Sequence, residues 1–326
     1  LLETEVVVSA SPHIRGRLTA ERIMGLVVFA LVPASIAAVY FFGRQALILI
    51  IASVVSAVLT EAVTLMLMKR PLTITDGSAV VTGLLLALTL PPTVPVWIPV
   101  VGSAFAIIFG KQIYGGLGFN PFNPALVGRA FLSASWPTLM LNWVWPEGSL
   151  GWTQQNAAAA AGVTADAVAG ATALGLWRGG TTGIPYLQLY FGNIAGSLGE
   201  TSALALLLGG LFLLACKIID WRIPFGYLGT VALFAFLLGE DPLFHLLAGG
   251  LLLGAFFMAT DYVTTPITPR GRLIFGIGCG FLTMLLRKFG GSPEGVCYSI
   301  LLMNVTTPLL DRWTRPKRFG EVKANG

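Results

Sequence analysis

The chain has 326 residues, 55% of them hydrophobic and only 11% charged, with a mean hydropathy of +0.80. A water-soluble domain carries roughly a quarter charged residues, so this composition excludes a protein coated by water on every side. The net charge of +5 and pI near 9.3 suit basic anchors at an anionic membrane surface, and nucleic acid is not expected as a partner.

Residues 1–22 are polar and read as a cytoplasmic N-terminal segment without a cleavable signal, because the first apolar run leads straight into others. Apolar windows follow near 23–42, 46–68, 77–90, 95–110 and 124–141, a first membrane unit over 23–141. Residues 142–200 are rich in Ala, Gly, Thr and Trp, and too polar to span. Windows near 201–218, 224–239, 243–259, 273–286 and 295–310 form a second unit over 201–310, and 311–326 is a tail. The expected fold is all-α and polytopic, with about ten transmembrane helices embedded in lipid. The windows at 77–90 and 273–286 are short for a crossing and read as discontinuous helices.

Alternating the spans from a cytoplasmic N-terminus puts fifteen Lys and Arg residues on one side, Lys69, Arg70, Lys111, Lys217, Arg222, Arg270 and Arg272 among them. Only Arg44, Arg178, Arg287 and Lys288 fall on the other. This positive-inside bias predicts both termini in the cytoplasm and loop 142–200 outside.

The two units echo each other. Gly83-Leu84-Leu85-Leu86 precedes Lys111-Gln112-Ile113-Tyr114-Gly115-Gly116, and Gly250-Leu251-Leu252-Leu253 precedes Arg287-Lys288-Phe289-Gly290-Gly291. Five spans per unit is odd, so the second copy is inverted, an arrangement that typically builds a site at the repeat interface. The first break continues as Asn120-Pro121-Phe122-Asn123-Pro124-Ala125, where Asn followed by Pro reads as a helix start whose amides point at something polar or anionic.

Charged groups inside the spans are expensive, which makes Glu61, Arg129 and Asp261 candidates for an ion path. Local pairing of Glu61 and a cytoplasmic-loop position for Asp261 are the competing readings. His245 reads as a packing residue, and with His13 in the tail no bis-His haem site is expected. Cys216, Cys279 and Cys297 show no metal or disulfide spacing and read as buried structural cysteines, the alternative being a ligand shared with a partner protein.

Loop 142–200 contains Asp166-Ala167-Val168-Ala169-Gly170-Ala171-Thr172. It offers a hydroxyl at Thr172 beside small residues that leave it open to a modifying enzyme, with a carboxylate six positions upstream. An ordinary capping threonine is the competing reading, and on the local sequence it leads.

A resemblance changes that balance. The strings Ser11-Pro12-His13-Ile14-Arg15, Asp76-Gly77-Ser78-Ala79-Val80-Val81-Thr82-Gly83, Gly118-Phe119-Asn120-Pro121-Phe122-Asn123-Pro124-Ala125, Thr260-Asp261-Tyr262-Val263-Thr264-Thr265-Pro266 and Pro293-Glu294-Gly295 together resemble the RnfD component of the Rnf electron-transport complex. More distantly, the chain is similar to the NqrB component of the sodium-pumping NADH:quinone reductase. The resemblance implies FMN joined through its phosphate to Thr172 by a flavin transferase, in a motif matched by Asp166, Gly170 and Ala171; Ala169 departs from the usual Ser or Thr. It also implies a noncovalent flavin, riboflavin, in the membrane part, for which Asn120 and Asn123 mark the place to look. By the same resemblance the partners are the other Rnf subunits, a flavoprotein on the outer face among them, and the process is ferredoxin:NAD electron exchange coupled to Na⁺ or H⁺ transport across a bacterial inner membrane. A channel or solute transporter without redox role is the alternative that the inverted halves alone would fit equally well.

Overall fold

The computed structural model describes residues 19–146, 172–179, 185–290 and 295–316. Asp166, Gly170, Ala171, the Ser11–Arg15 string and Pro293-Glu294 lie outside the described residues. Among the described residues all regular structure is helical.

Helix α1, Ala20–Leu67, is 48 residues long. Straight, it would run roughly 72 Å, more than twice the hydrocarbon thickness of a bilayer. Gly43 breaks it, at φ 66° and ψ −149°, backbone angles that a side chain resists. Met24 in the first arm lies beside Gly77, and Glu61 in the second shares Lys111 with Ser78. The two arms therefore run antiparallel and return to the same end.

The second arm turns Leu47, Ile51, Val55, Leu59 and Val63 outward at four-residue spacing, and buries Ser53, Ser56, Ala57 and Glu61. A helix in water does the reverse. Its polar face is used for glue: Ser53 Oγ donates to Gly83 O of α2 (Ser78–Leu88) at 2.6 Å and pairs with Ser103 of α3 (Trp97–Gly110) at 2.8 Å. Such bonds join helices where lipid supplies no hydrophobic drive. Helix α4, Pro124–Ser135, packs on α3, and short α5, Pro137–Met140, follows it. Two small helices come next, α6 at Ala173–Arg178 and α7 at Tyr186–Phe191.

The second half contains α8 (Ala203–Ala215), α9 (Arg222–Leu237), α10 (Pro242–Leu247), α11 (Leu251–Leu253) running into a π turn at Gly254–Met258, α12 (Pro269–Phe289) and α13 (Val296–Thr314). Helix α12 packs against both α9 and α13, as α3 does against α1 and α4. Tyr227, Thr283 and Ser299 join these three helices through hydroxyl bonds of 2.6 and 2.7 Å. Ion pairs tie α9 and α12 at both ends, Arg272 to Asp220 at one and Lys288 to Glu240 at the other. Those two pairs define opposite ends of the bundle.

Two helices, Ala20–Leu67 and Trp97–Tyr114, are long and apolar enough to cross a membrane; Ser78–Leu88, Ala203–Ala215 and Arg222–Leu237 are apolar but shorter. Three expectations need correction. The window at 273–286 is no half-helix: α12 runs unbroken for 21 residues from its Thr268 cap, because Gly276 and Gly280 face the backbone of α9 instead of interrupting the helix. The interrupted crossing is 243–259, split at Ala248–Gly250 and wound into the π turn. Lys111 and Arg287 are not loop anchors, being 2% and 0% exposed. Cys279 and Cys297 are buried as expected, whereas Cys216 is exposed.

The halves touch where α8 crosses the first arm of α1. A Cβ on Gly209 would fall 2.0 Å from Ala30 O. Gly209→Val should therefore force the helices apart and lower stability by about 1–3 kcal/mol, the usual range for overpacking, read as earlier thermal unfolding in detergent. Gly229→Ala, where nothing lies within 4 Å, is the control. Equal melting of both variants would show that this crossing is not close-packed.

Candidate functional site

Helix α4 starts at the seam between the halves, and its cap forms the seam. Asn123 Oδ1 accepts from the amides of Ala125 and Leu126 at 3.0 and 3.4 Å, while Asn123 Nδ2 donates to Met258 O at 3.2 Å. Asn304 of α13 continues the link, accepting from Asn123 N and donating to Thr264 O. The helix start is thus as expected, but its first amides are taken by the Asn123 side chain instead of being offered to a ligand. Asn120 points differently. Its Nδ2 donates to Phe122 O at 3.0 Å, and its Oδ1 is buried without a hydrogen-bond partner among the described residues.

Both asparagines line a cavity between the halves, with Ser78, Lys111, Phe257 and Asp261 also on its wall. Its far side is the π turn, where Ala259 N reaches Gly254 O at 2.7 Å; such turns widen a helix locally and cluster at functional sites. Asp261 follows that turn and accepts from Thr264 Oγ1 at 3.2 Å.

Glu61 does not face the cavity. Its Oε1 accepts from Lys111 Nζ at 2.6 Å and from Gln112 Nε2 at 3.0 Å, and Lys111 also donates to Ser78 Oγ. Local pairing is therefore the observed state of Glu61, with Lys111 carrying the contact from pair to cavity wall. Arg129 lies elsewhere, 7% exposed, in a pocket with Thr89, Glu200, Arg287 and Cys297. Arg287 donates to the carbonyls of His245 and Ala248 at 2.7 and 2.9 Å, closing the end of α10. His245 is fully buried, its ring edge-on to Trp177, in the packing role expected.

Thr172 caps α6: its Oγ1 accepts from Gly175 N at 3.2 Å, so the capping reading describes its local geometry. It is also 8% exposed, more enclosed than its small neighbours suggested. It lines a small pocket with Leu189, Gly249 and Glu200, and Glu200 lines the Arg129 pocket as well. Sequence reading passes over Glu200, and it takes Arg287 and Lys111 as charges flanking the spans, Lys111 without Glu61 as its partner. Glu200, a lone acid beside Gly199, carries no local signal.

Helix α6 sits at the Glu240–Lys288 end of the bundle. Trp177 Nε1 donates to Glu240 Oε2 at 3.0 Å, Lys288 Nζ donates to Glu240 Oε1, and Arg178 donates to Gly290 O. The Lys288 bond holds the Glu240 carboxyl below its usual value, with burial opposing and the Trp177 bond adding to it.

An outward apolar face, polar glue inside and a buried ion pair between Lys111 and Glu61 define a helical membrane protein. The family model described as NQR2, RnfD, RnfE family matches residues 7–320, and the chain belongs to that family. It is 50% identical to the D-type subunit of the Na⁺-translocating ferredoxin:NAD⁺ oxidoreductase complex of Acetobacterium woodii, over 98% of this chain and 97% of that protein. It is 45% identical to the corresponding D-type subunit of the proton-translocating ferredoxin:NAD⁺ oxidoreductase complex of Clostridium ljungdahlii, over 96% of each. With the D-type subunit of the ion-translocating oxidoreductase complex of Stutzerimonas stutzeri it shares 48% identity over 93% of each.

The charged groups can be tested at both ends of the bundle. Glu61→Gln leaves Lys111 buried and unneutralised, and should destabilise the protein by about 3–5 kcal/mol; adding Lys111→Met should recover much of that loss in detergent melts. No recovery in the double variant would mean the pair is not the reason for the loss. The Glu240 tether has the sign of a depressed carboxylate: its stability is present above the ordinary value of 4.5 and lost as pH falls through the folded one. Hydrogen exchange across Ala173–Arg178, corrected for intrinsic rates, should accelerate below pH 4.5, and Glu240→Gln should exchange fast already at neutral pH. Unchanged protection in acid would exclude the tether.

Proposed function

We propose that the chain is the membrane subunit through which an ion-translocating ferredoxin:NAD⁺ oxidoreductase complex of the Rnf type relays electrons. In this reading it holds FMN esterified to Thr172 and a noncovalent riboflavin in the Asn120–Asn123 cavity. Near-full-length similarity to the D-type subunits of such complexes supports the complex. The observation that carries the relay is a succession of pockets. The Thr172 pocket shares Leu174 and Glu200 with the Arg129 pocket, and the latter abuts the π turn that walls the larger cavity.

The residues fit the groups assigned to them. Thr172 supplies the hydroxyl that a flavin transferase would esterify, and an ester oxygen keeps a lone pair for the Gly175 amide. Asn120 offers a buried amide oxygen that needs a donor, and Phe256 and Phe257 offer an apolar wall. Flavins exchange one or two electrons, the chemistry either group would supply when bound. The chain's own part is to position them and to exclude water. Asp166, Gly170 and Ala171 belong to the attachment motif, and Glu61, Arg129 and Asp261 are assigned to the ion path.

The topology proposed with this function is ten crossings in two inverted five-helix repeats, 23–141 and 201–310, in a bacterial inner membrane. The termini would be cytoplasmic and Thr172 outside, facing a flavoprotein partner. Lys217, Arg222 and Arg272 cluster at the Asp220 end and Thr172 at the other, which supports that orientation. The test is in-gel flavin fluorescence after denaturation, in cells that contain the flavin transferase. Wild type and Thr172→Ser should give a fluorescent band, and Thr172→Ala none. A dark wild-type band would sink covalent attachment.

A further inference from the structure

At the end of the bundle opposite Thr172, the chain leaves α8 at Ala215 and enters α9 at Arg222. The turn between them, with α12 beside it, forms an open recess that adjoins the cavity lined by Asn120 and Asn123. Three cations line it, Lys217, Arg222 and Arg272, against one carboxylate, Asp220. Asp220 bridges Arg222 at 3.0 Å and Arg272 at 2.9 Å, so two positive charges stay uncompensated within the recess.

The rest of the wall is amphipathic in a specific way. The Arg222 guanidinium lies over the Trp221 ring, 5.3 Å from its centroid, and Trp221 and Tyr262 are both more than half exposed. Leu214, Ile218 and Ile219 line the recess too. One turn along α9, Phe225 is exposed on the flank. Aromatic rings with a polar edge, basic groups at helix ends and an apolar surface below them are the elements of a membrane–water boundary. A free anion would use the cations alone; a phospholipid would use the cations, the rings and the apolar flank together.

We propose that this recess is a headgroup site for an anionic phospholipid of the leaflet at that end. The phosphodiester sits between Lys217, Arg222 and Arg272, and the acyl chains descend past Leu214 and Phe225. The site also has a structural reach. Ile218, Ile219, Thr260 and Tyr262 form part of both this recess and the Asn120–Asn123 cavity, so an occupant braces the wall between them. Tyr262 OH, which donates to Ile218 O, fastens that wall from within.

The experiment uses the purified full chain in neutral detergent, with native mass spectrometry to count retained lipid and melting to follow binding. Phosphatidylglycerol in mixed micelles should bind and raise the melting temperature, and phosphatidylcholine should not. Inorganic phosphate and glycerol phosphate at equal concentration should have little effect. Lys217→Gln with Arg222→Gln should weaken phosphatidylglycerol binding about thirty-fold, from the usual contribution of each basic residue near an anionic surface. Asp220→Asn, which removes the one opposing charge, should tighten it. If the double variant fails to fold, the wild type still decides, since affinity must fall steeply with added salt. Equal stabilisation by phosphatidylcholine, full replacement by inorganic phosphate, or salt-independent binding would each overturn the proposal.

Discussion

Every interruption of a helix inside lipid frees backbone groups that water cannot reach, and this protein has to satisfy them from within. Its breaks are closed by named side chains. Asn123 holds the amides that open α4 and the carbonyl that ends the π turn. Arg287 holds the carbonyls that end α10. Asn304 and Thr307 hold Thr264 O, and Thr93 reaches Asn142 O. The bonds from Asn123 to Met258 O and from Asn123 N to Asn304 join the two halves, so contacts at these breaks also set how the halves pack.

That requirement explains why the cavity lined by Asn120 and Asn123 lies where it does. Continuous helices pack without space between them, as the contact at Gly209 illustrates. Broken ones leave their ends apart, and the cavity sits where the start of α4, the start of α2 and the π turn converge. Polar groups belong to such a place because backbone ends need them, and the same groups can also serve a ligand. Asn120 differs from Asn123 in this respect: one amide is spent on the seam, while the other keeps its oxygen toward the cavity wall.

Much of this was legible in the sequence, and the reasons for the misses are physical. Apolar runs and Asn-Pro starts are local signals, so helix positions and the α4 cap followed from them directly. The window at 273–286 reads as a short, discontinuous helix because glycines such as Gly276 and Gly280, which let two helices touch, look like breaks without the partner. Lys111 and Arg287 misled because a basic residue at the edge of an apolar run looks like a surface anchor. Glu61, 50 positions from Lys111, turns one into a buried pair; a broken helix end turns the other into a carbonyl cap. Thr172 was read two ways, and its geometry is compatible with both, since a capping oxygen is not barred from carrying an ester.

The two halves show how a repeated sequence pattern acquires different chemistry. Both carry a basic residue, then an aromatic one, then paired glycines, and both bury the base. In the first half the base meets a carboxylate, and the result is an ion pair against a cavity wall. In the second it meets the carbonyls of His245 and Ala248, in a pocket that Glu200 also lines. An Arg suits that second task, because its planar donors reach two acceptors at once; a Lys suits the first, as a compact charge that Glu61 and Ser78 surround.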